Sequence, residues 1–240
     1  MQSLCPVRVC NFFTWIFDIS SNFTQAAPLR PMQTKIGKID SSSALAVKII
    51  ETLSEKDLEF LSFREKLSFA NISHPEKRKE WGTARLALHE ALELLQIPYP
   101  GFFKDEHGKS HPMNGQGFVS LTHTRGYAAA IYHRELPVGI DIEVIREKIL
   151  QIGTRFLAEQ ELNFLQPQPA HYTMAWSAKE SIFKCHGKKG VSLRDNILLE
   201  PFAPDASLIK GKIHGTNFED HHYQVQVEQS ENLILTYSIW

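Results

Sequence analysis

Cysteine is scarce in this chain. Cys5, Cys10 and Cys185 are the only three in 240 residues, an odd number with no metal-binding spacing. That excludes a small disulfide-stapled secreted fold and leads us to expect a reducing, cytoplasmic compartment. The sequons Asn22-Phe23-Thr24 and Asn71-Ile72-Ser73 are too common a pattern to outweigh this. Long apolar runs are missing as well: nothing approaches the ~18 residues of a membrane helix, so no membrane association is expected. Arg8 ahead of Cys10–Ile19 has the outline of a signal peptide. However, Asn11, Thr14 and Asp18 interrupt that stretch and no small-residue cleavage site follows promptly, so it reads as a soluble extension. Nor is there an excess of one charge. The 26 Lys and Arg nearly match the 27 Asp and Glu, for a formal net charge of −1, which removes the global electrostatic case for nucleic acid or an anionic bilayer as a partner. Any anion site must be a local cluster. Internal repeats are absent, and Ser41-Ser42-Ser43 is the sole low-complexity tract.

What remains is an ordinary globular composition, 42% hydrophobic and 22% charged, in a chain long enough for one large domain or two of about 100–150 residues. Residues 1–43 carry Pro28, Pro31 and Gly37 without a sustained period and read as an N-terminal extension, poorly structured at its start. Ala44–Ile50 reads as a strand. Ser54–Phe69 reads as a helix, with Ser54 as N-cap and Asp57 three residues on. A second helix is expected to open at Ser73, with Pro75 in its first turn and Glu76 completing a capping box. Its apolar stripe is Trp81, Ala84, Leu88, Leu92 and Leu95, with Lys77, Arg78 and Arg85 off that stripe. A polar connection over 104–117 leads to strands at Phe118–His123, Tyr127–His133 and Val138–Val144. Helices at Ile149–Phe164 and Tyr172–His186 follow, then strands at 196–200, 207–214, 222–228 and 232–240. Helices and antiparallel strands in two similar groups, 44–135 and 136–240, predict an α+β architecture of two lobes meeting near Arg134–Pro137.

Two segments carry the chemistry. In Gly139-Ile140-Asp141-Ile142-Glu143 apolar and acidic residues alternate, so a strand puts both carboxylates on one face and Ile140, Ile142 and Val144 on the other. In Trp176-Ser177-Ala178-Lys179-Glu180-Ser181-Ile182-Phe183-Lys184 no Gly or Pro intervenes, and a helix lines up Trp176, Glu180 and Lys184 at four-residue steps. Taken singly, each has a bland explanation: Asp-x-Glu is usually the solvated face of a half-buried sheet, and Glu180–Lys184 an exposed helix pair worth ~0.3–0.5 kcal/mol. Taken together, two strand carboxylates and one from a helix form a hard-cation site of the kind magnesium takes, completed by waters and substrate phosphates.

These two segments, in this order, resemble the signature motifs of the 4′-phosphopantetheinyl transferases, which move the phosphopantetheine arm of coenzyme A to a serine of a carrier protein. The resemblance runs from about residue 44 to 240 and, by length and layout, is to the larger monomeric type, a pseudo-dimer of two similar lobes with the active site in the cleft between them; the shorter type is about half this size and trimeric. It implies Mg²⁺ on Asp141, Glu143 and Glu180, with Glu180 the first choice of base, Glu143 the second, and Lys184 neutralising pyrophosphate charge. Ser120-Leu121-Thr122-His123-Thr124 resembles the family's Ser-His-Ser stretch, which would place His123 on the 3′-phosphate of coenzyme A. Pro75-Glu76-Lys77-Arg78 and Ala84-Arg85-Leu86 resemble its basic segments and would bring Lys77, Arg78 and Arg85 to the same phosphate. Gly108-Lys109 resembles the Gly-Lys-Pro loop beside the adenine. There are two departures: Ser110-His111 intervene before Pro112, and Glu80 stands where another lysine is expected. The implied partners are coenzyme A and an apo acyl or peptidyl carrier protein. The rival readings are an inactive coenzyme A- or carrier-binding module and another Mg²⁺-dependent phosphoryl-transfer enzyme such as a pyrophosphatase.

Overall fold

The computed structural model describes residues 32–240 apart from His107, Thr216 and Asn217. The extension up to residue 31, with Cys5, Cys10 and the first sequon, lies outside the described residues. Strand β1 (Lys35–Lys38) pairs with β2 (Ser43–Ile49), so the end of the stretch read as an extension is part of a sheet. Helices α1 (Phe63–Ala70) and α2 (Pro75–Leu94) lead to a short hairpin, β3 (Phe102–Lys104) and β4 (Ser110–Pro112). Strands β5 (Phe118–Thr124), β6 (Tyr127–His133) and β7 (Val138–Val144) follow. Short helices α3 (Lys148–Ile152) and α4 (Glu159–Leu162) precede the long α5 (Pro169–His186). The remaining strands are β8 (Ile197–Leu199), β9 (Leu208–Gly215), β10 (Phe218–Gln229) and β11 (Leu233–Ile239).

The larger strands form two antiparallel sheets, ordered β1-β2-β6-β5 and β7-β11-β10-β9-β8. Strand period dictates the layering. Ala44 and Ala46 of β2 and Ala130 of β6 face α2, where Ala87, Leu88, Ala91 and Leu92 are fully buried. The alternate residues Leu45, Val47, Ala129 and Ile131 face the second sheet and meet Ile140, Ile142, Leu233 and Leu235. The far side of the second sheet packs on α5 through Met174, Ala178, Ile182 and Cys185. The protein is therefore α+β, with layers α2, first sheet, second sheet and α5. Cys185 is free and buried, and among the described residues no helix is long and apolar enough to cross a membrane.

Four local expectations are corrected. Ser54 and Asp57 do bond, at 2.7 Å, but they close only a 3₁₀ turn over Lys56–Leu58. The true capping box belongs to Ser62 and Glu65 at the start of α1, because Glu65 is buried and also accepts from Tyr99 Oη at 2.9 Å. His74, not Ser73, is the N-cap of α2, with no side-chain cap; Glu76 pairs with Lys79 at 3.0 Å instead. The helix expected over Ile149–Phe164 breaks at Gly153, where a Cβ would stand 2.6 Å from the Tyr172 ring. The polar stretch after Phe102 folds into the β3–β4 hairpin, with Asp105 accepting from Lys109 N at 3.0 Å and contacting His111 Nε2 at 2.8 Å.

Candidate functional site

β7 alternates as its sequence requires: Ile140 and Ile142 lie in the inter-sheet core, while Gly139, Asp141 and Glu143 face α5. Gly139 permits this close approach, since a Cβ there would overlap the Ser181 carbonyl oxygen and stand 2.6 Å from Cys185 N. The α5 motif divides by helix face. Ser177 and Ser181 bond to Thr236 of β11, at 2.9 and 3.0 Å, which seats the helix on the sheet. At four-residue steps along the same helix, Trp176 bonds to Glu143 and Lys184 to Asp141 of the adjacent strand β7, while Glu180 and Lys184 line a cavity.

Asp141 is not on a solvated face: it is 3% exposed. Its Oδ1 accepts from Lys184 Nζ at 2.6 Å and from Thr122 Oγ1 at 3.0 Å, while its Oδ2 is buried with no hydrogen-bond partner among the described residues. Glu143 accepts from Trp176 Nε1 at 3.1 Å and Thr124 Oγ1 at 3.4 Å. Burial, and then the like charge of Asp141, push the Glu143 carboxyl above the usual range. Burial pushes Glu180 up as well; Lys184 pulls it partly back, and Asp141 and Glu143 add repulsion. Three oxygen-donor carboxylates in mutual repulsion, one with an orphaned buried oxygen, fit the chemistry of Mg²⁺. Among the described residues, no three His, Cys, Asp or Glu side chains converge to hold a metal unaided. Water and ligand oxygens would therefore have to complete its shell.

A cavity of about 540 Å³ lies among α2, the β3–β4 hairpin, β5 and the C-terminal half of α5; Glu180 lines it, whereas Asp141 and Glu143 lie behind its wall. Of the residues singled out from sequence, Lys77, Arg85, Lys109, His123, Glu180 and Lys184 line it. Arg78 does not: its guanidinium lies 4.6 Å over the Phe69 ring and lines a separate groove. Arg85, expected off the apolar stripe, is only 5% exposed, stacked 4.1 Å over Trp81 and 3.6 Å from Glu65 Oε1, with no hydrogen-bond partner for its Nε. Glu80 lies 3.6 Å from His123 Nδ1, so the acidic departure sits at this end of the cavity.

Sequence reasoning missed Lys104, Lys188 and Lys189, which also line the cavity. Lys104 is drawn below the usual lysine range, first by burial and then by Arg85 and Lys184 nearby. Burial likewise lowers Lys109, whose Nζ occupies the space a Cβ at Gly187 would take. Gly187 is the left-handed C-cap of α5 (φ 65°), so Lys109 places its charge at the negative end of that helix. Clustered cations at this density, partly buried and short of counter-charges, suit a ligand with several phosphates.

Residues 137–238 match the family model described as the 4′-phosphopantetheinyl transferase superfamily, and residues 65–133 match the 4′-phosphopantetheinyl transferase N-terminal domain. Together these cover more than half of the chain, which belongs to the 4′-phosphopantetheinyl transferase superfamily. It is similar to the 4′-phosphopantetheinyl transferase psf-1 of Bacillus pumilus, 30% identical over 115 residues, 45% of this chain and 48% of that protein. The match thus spans about half the length of the curated relative.

Proposed function

We propose that the protein transfers the 4′-phosphopantetheine group of coenzyme A to a serine hydroxyl of an apo carrier protein, releasing adenosine 3′,5′-bisphosphate. The observation that carries this reading is the cation-lined cavity with Glu180 and Lys184 in its wall, Lys184 being bonded in turn to the buried Asp141. Lys77, Arg85 and His123 would hold the 3′-phosphate, and Lys109 would lie beside the adenine. Lys104 and Lys184, farther in, would face the pyrophosphate. In this reading the two sheets with their helices are similar lobes of a pseudo-dimeric monomer, divided at residues 134–137, and the cavity is the cleft between them.

The carrier serine is a weak nucleophile at neutral pH. Glu180, its carboxyl made more basic by burial, accepts the hydroxyl proton as the serine oxygen attacks the phosphorus nearest the pantetheine. A P–O bond to the serine forms, and the P–O bond to the nucleotide phosphate breaks. Lys184 meets the charge that gathers on the pyrophosphate oxygens. Asp141, Glu143 and Glu180 would hold Mg²⁺, whose charge would further neutralise the pyrophosphate.

The test is to incubate the protein with apo carrier, coenzyme A and Mg²⁺ and weigh the carrier by mass spectrometry. A phosphopantetheine adduct that disappears with chelator is expected. Coenzyme A hydrolysis without carrier would instead favour a pyrophosphatase, and binding without turnover an inactive module. A second expectation concerns Arg85. A hydrogen bond to a charged group is worth ~1.5–3 kcal/mol, so Arg85→Ala should weaken coenzyme A binding roughly ten- to a hundredfold. Dephospho-coenzyme A lacks the partner phosphate and should lose far less. Equal losses by calorimetry for the two ligands would return Arg85 to a purely structural role with Glu65 and Trp81.

A further inference from the structure

Each β7 carboxylate is held from two sides by two different elements. Asp141 Oδ1 accepts from Thr122 of β5 at 3.0 Å and from Lys184 of α5 at 2.6 Å. Glu143 accepts from Thr124 of β5 at 3.4 Å and from Trp176 of α5 at 3.1 Å. The series begins at Ser120, whose hydroxyl accepts from Ile140 N at 3.2 Å. Ser120, Thr122 and Thr124 are alternate residues of one strand, so they share a face. β5 closes the first sheet and β7 closes the second, and β7 has β11 as its backbone-paired neighbour. Side-chain hydroxyls therefore stand along the β7 edge where a further strand would otherwise pair. Thr122 and Asp141 are both buried, at 7% and 3% exposure, with Thr122 at the wall of the cavity.

We infer that Thr122, with Thr124 in a lesser part, is a positioning residue whose hydroxyl fixes the Asp141 carboxylate so that Oδ2 is the oxygen offered to a divalent cation. This rests on the reading of Asp141, Glu143 and Glu180 as Mg²⁺ ligands. Oδ2 is the orphaned atom, and its direction is set once Oδ1 is pinned. Lys184 alone cannot pin it, because an ammonium on a flexible four-carbon stem follows the carboxylate as it turns. A threonine is stiff at χ1, and from a packed strand its hydroxyl defines one orientation. The metal ligands on the second sheet are thus aimed by a strand of the first.

The experiment is a Mn²⁺ titration of the full-length protein with saturating coenzyme A, followed by water-proton relaxation, so that no turnover is needed. Loss of an orienting outer-shell partner typically costs 10–100-fold in metal affinity, and Thr122→Val should weaken Mn²⁺ binding about tenfold. Thr122→Ser, which keeps the hydroxyl, should bind as the parent does. Should Thr122→Val fail to fold, Thr122→Ala removes the same bond with a smaller side chain and carries the comparison. Parental affinity in the hydroxyl-free variant, with binding lost in Asp141→Asn, would overturn the inference while the metal reading stands. Parental affinity in Asp141→Asn would overturn the metal reading, and the inference with it.

Discussion

Glu180→Gln should abolish carrier modification and at the same time raise the melting temperature. Glu180 is half-buried, accepts no hydrogen bond among the described residues, and faces the like charges of Asp141 and Glu143, with Lys184 offsetting them. A carboxyl whose folded pKa lies above its unfolded value contributes stability only below the unfolded value, and loses it as pH rises through the folded one. At neutral pH the ionised group is therefore a burden, which the neutral amide removes. Scanning calorimetry at neutral pH should show the variant melting higher. For a chain of this size each 1 kcal/mol regained corresponds to roughly 2–4 °C. The difference should shrink as pH falls into the raised carboxylate range. Removing a positioned base should cost about 10²–10⁴ in turnover. Near-parental turnover would dismiss Glu180 as base, and a lower melting temperature would reveal a structural partner for it.

Lys179→Ala should be the most destabilising single change in α5. Lys179 and Glu161 are both fully buried and paired at 2.6 Å. The ammonium also donates to Leu193 O at 2.8 Å and Ile197 O at 2.6 Å, and Glu161 accepts from Leu199 N at 2.8 Å and Ala158 N at 2.7 Å. Removing one member of a buried pair costs ~3–5 kcal/mol, because the other is left charged and unmatched. At this chain length that is a fall of roughly 6–20 °C. The double variant Lys179→Met/Glu161→Gln should recover much of the loss. A fall of under about 2 °C in the single variant would mean that water replaces the ammonium.

The two motifs were legible in sequence because each follows one period without interruption. Alternation over Val138–Val144 sorts Ile140 and Ile142 from Asp141 and Glu143, and the helix carrying Trp176, Glu180 and Lys184 meets no Gly or Pro from Ala170 to His186. What failed depended on distant partners. Ser54 reads as the cap from sequence, whereas Ser62 opens the helix, with Glu65 buried against Tyr99. Arg85 reads as a solvated helix residue until Trp81 and Glu65 are seen to enclose it. Lys179 gives no local sign that Glu161 waits 18 positions away. Lys104 joins the cation cluster only because a hairpin forms where composition suggests a loop. Gly153, inside the span read as a single helix, was a clue present in the sequence itself.

The pairing of β7 with β11 has a consequence for biosynthesis. Asp141 stands opposite Thr236 and Glu143 opposite Ile234, so the acidic strand takes its backbone partner from the far end of the second sheet's sequence. From Val144 to Leu233 the ribosome must deliver 89 residues. At 5–20 residues per second that is a wait of roughly 4–18 s. During that interval Ile140 and Ile142 have no β11 beside them, and the hydroxyls of Ser120, Thr122 and Thr124 are already synthesised. The nascent chain is thus most exposed to misassembly at the strand that carries its acidic residues. A chain ending between Val144 and Leu233 would keep every strand of the first sheet and leave the second without the strand that pairs with Asp141.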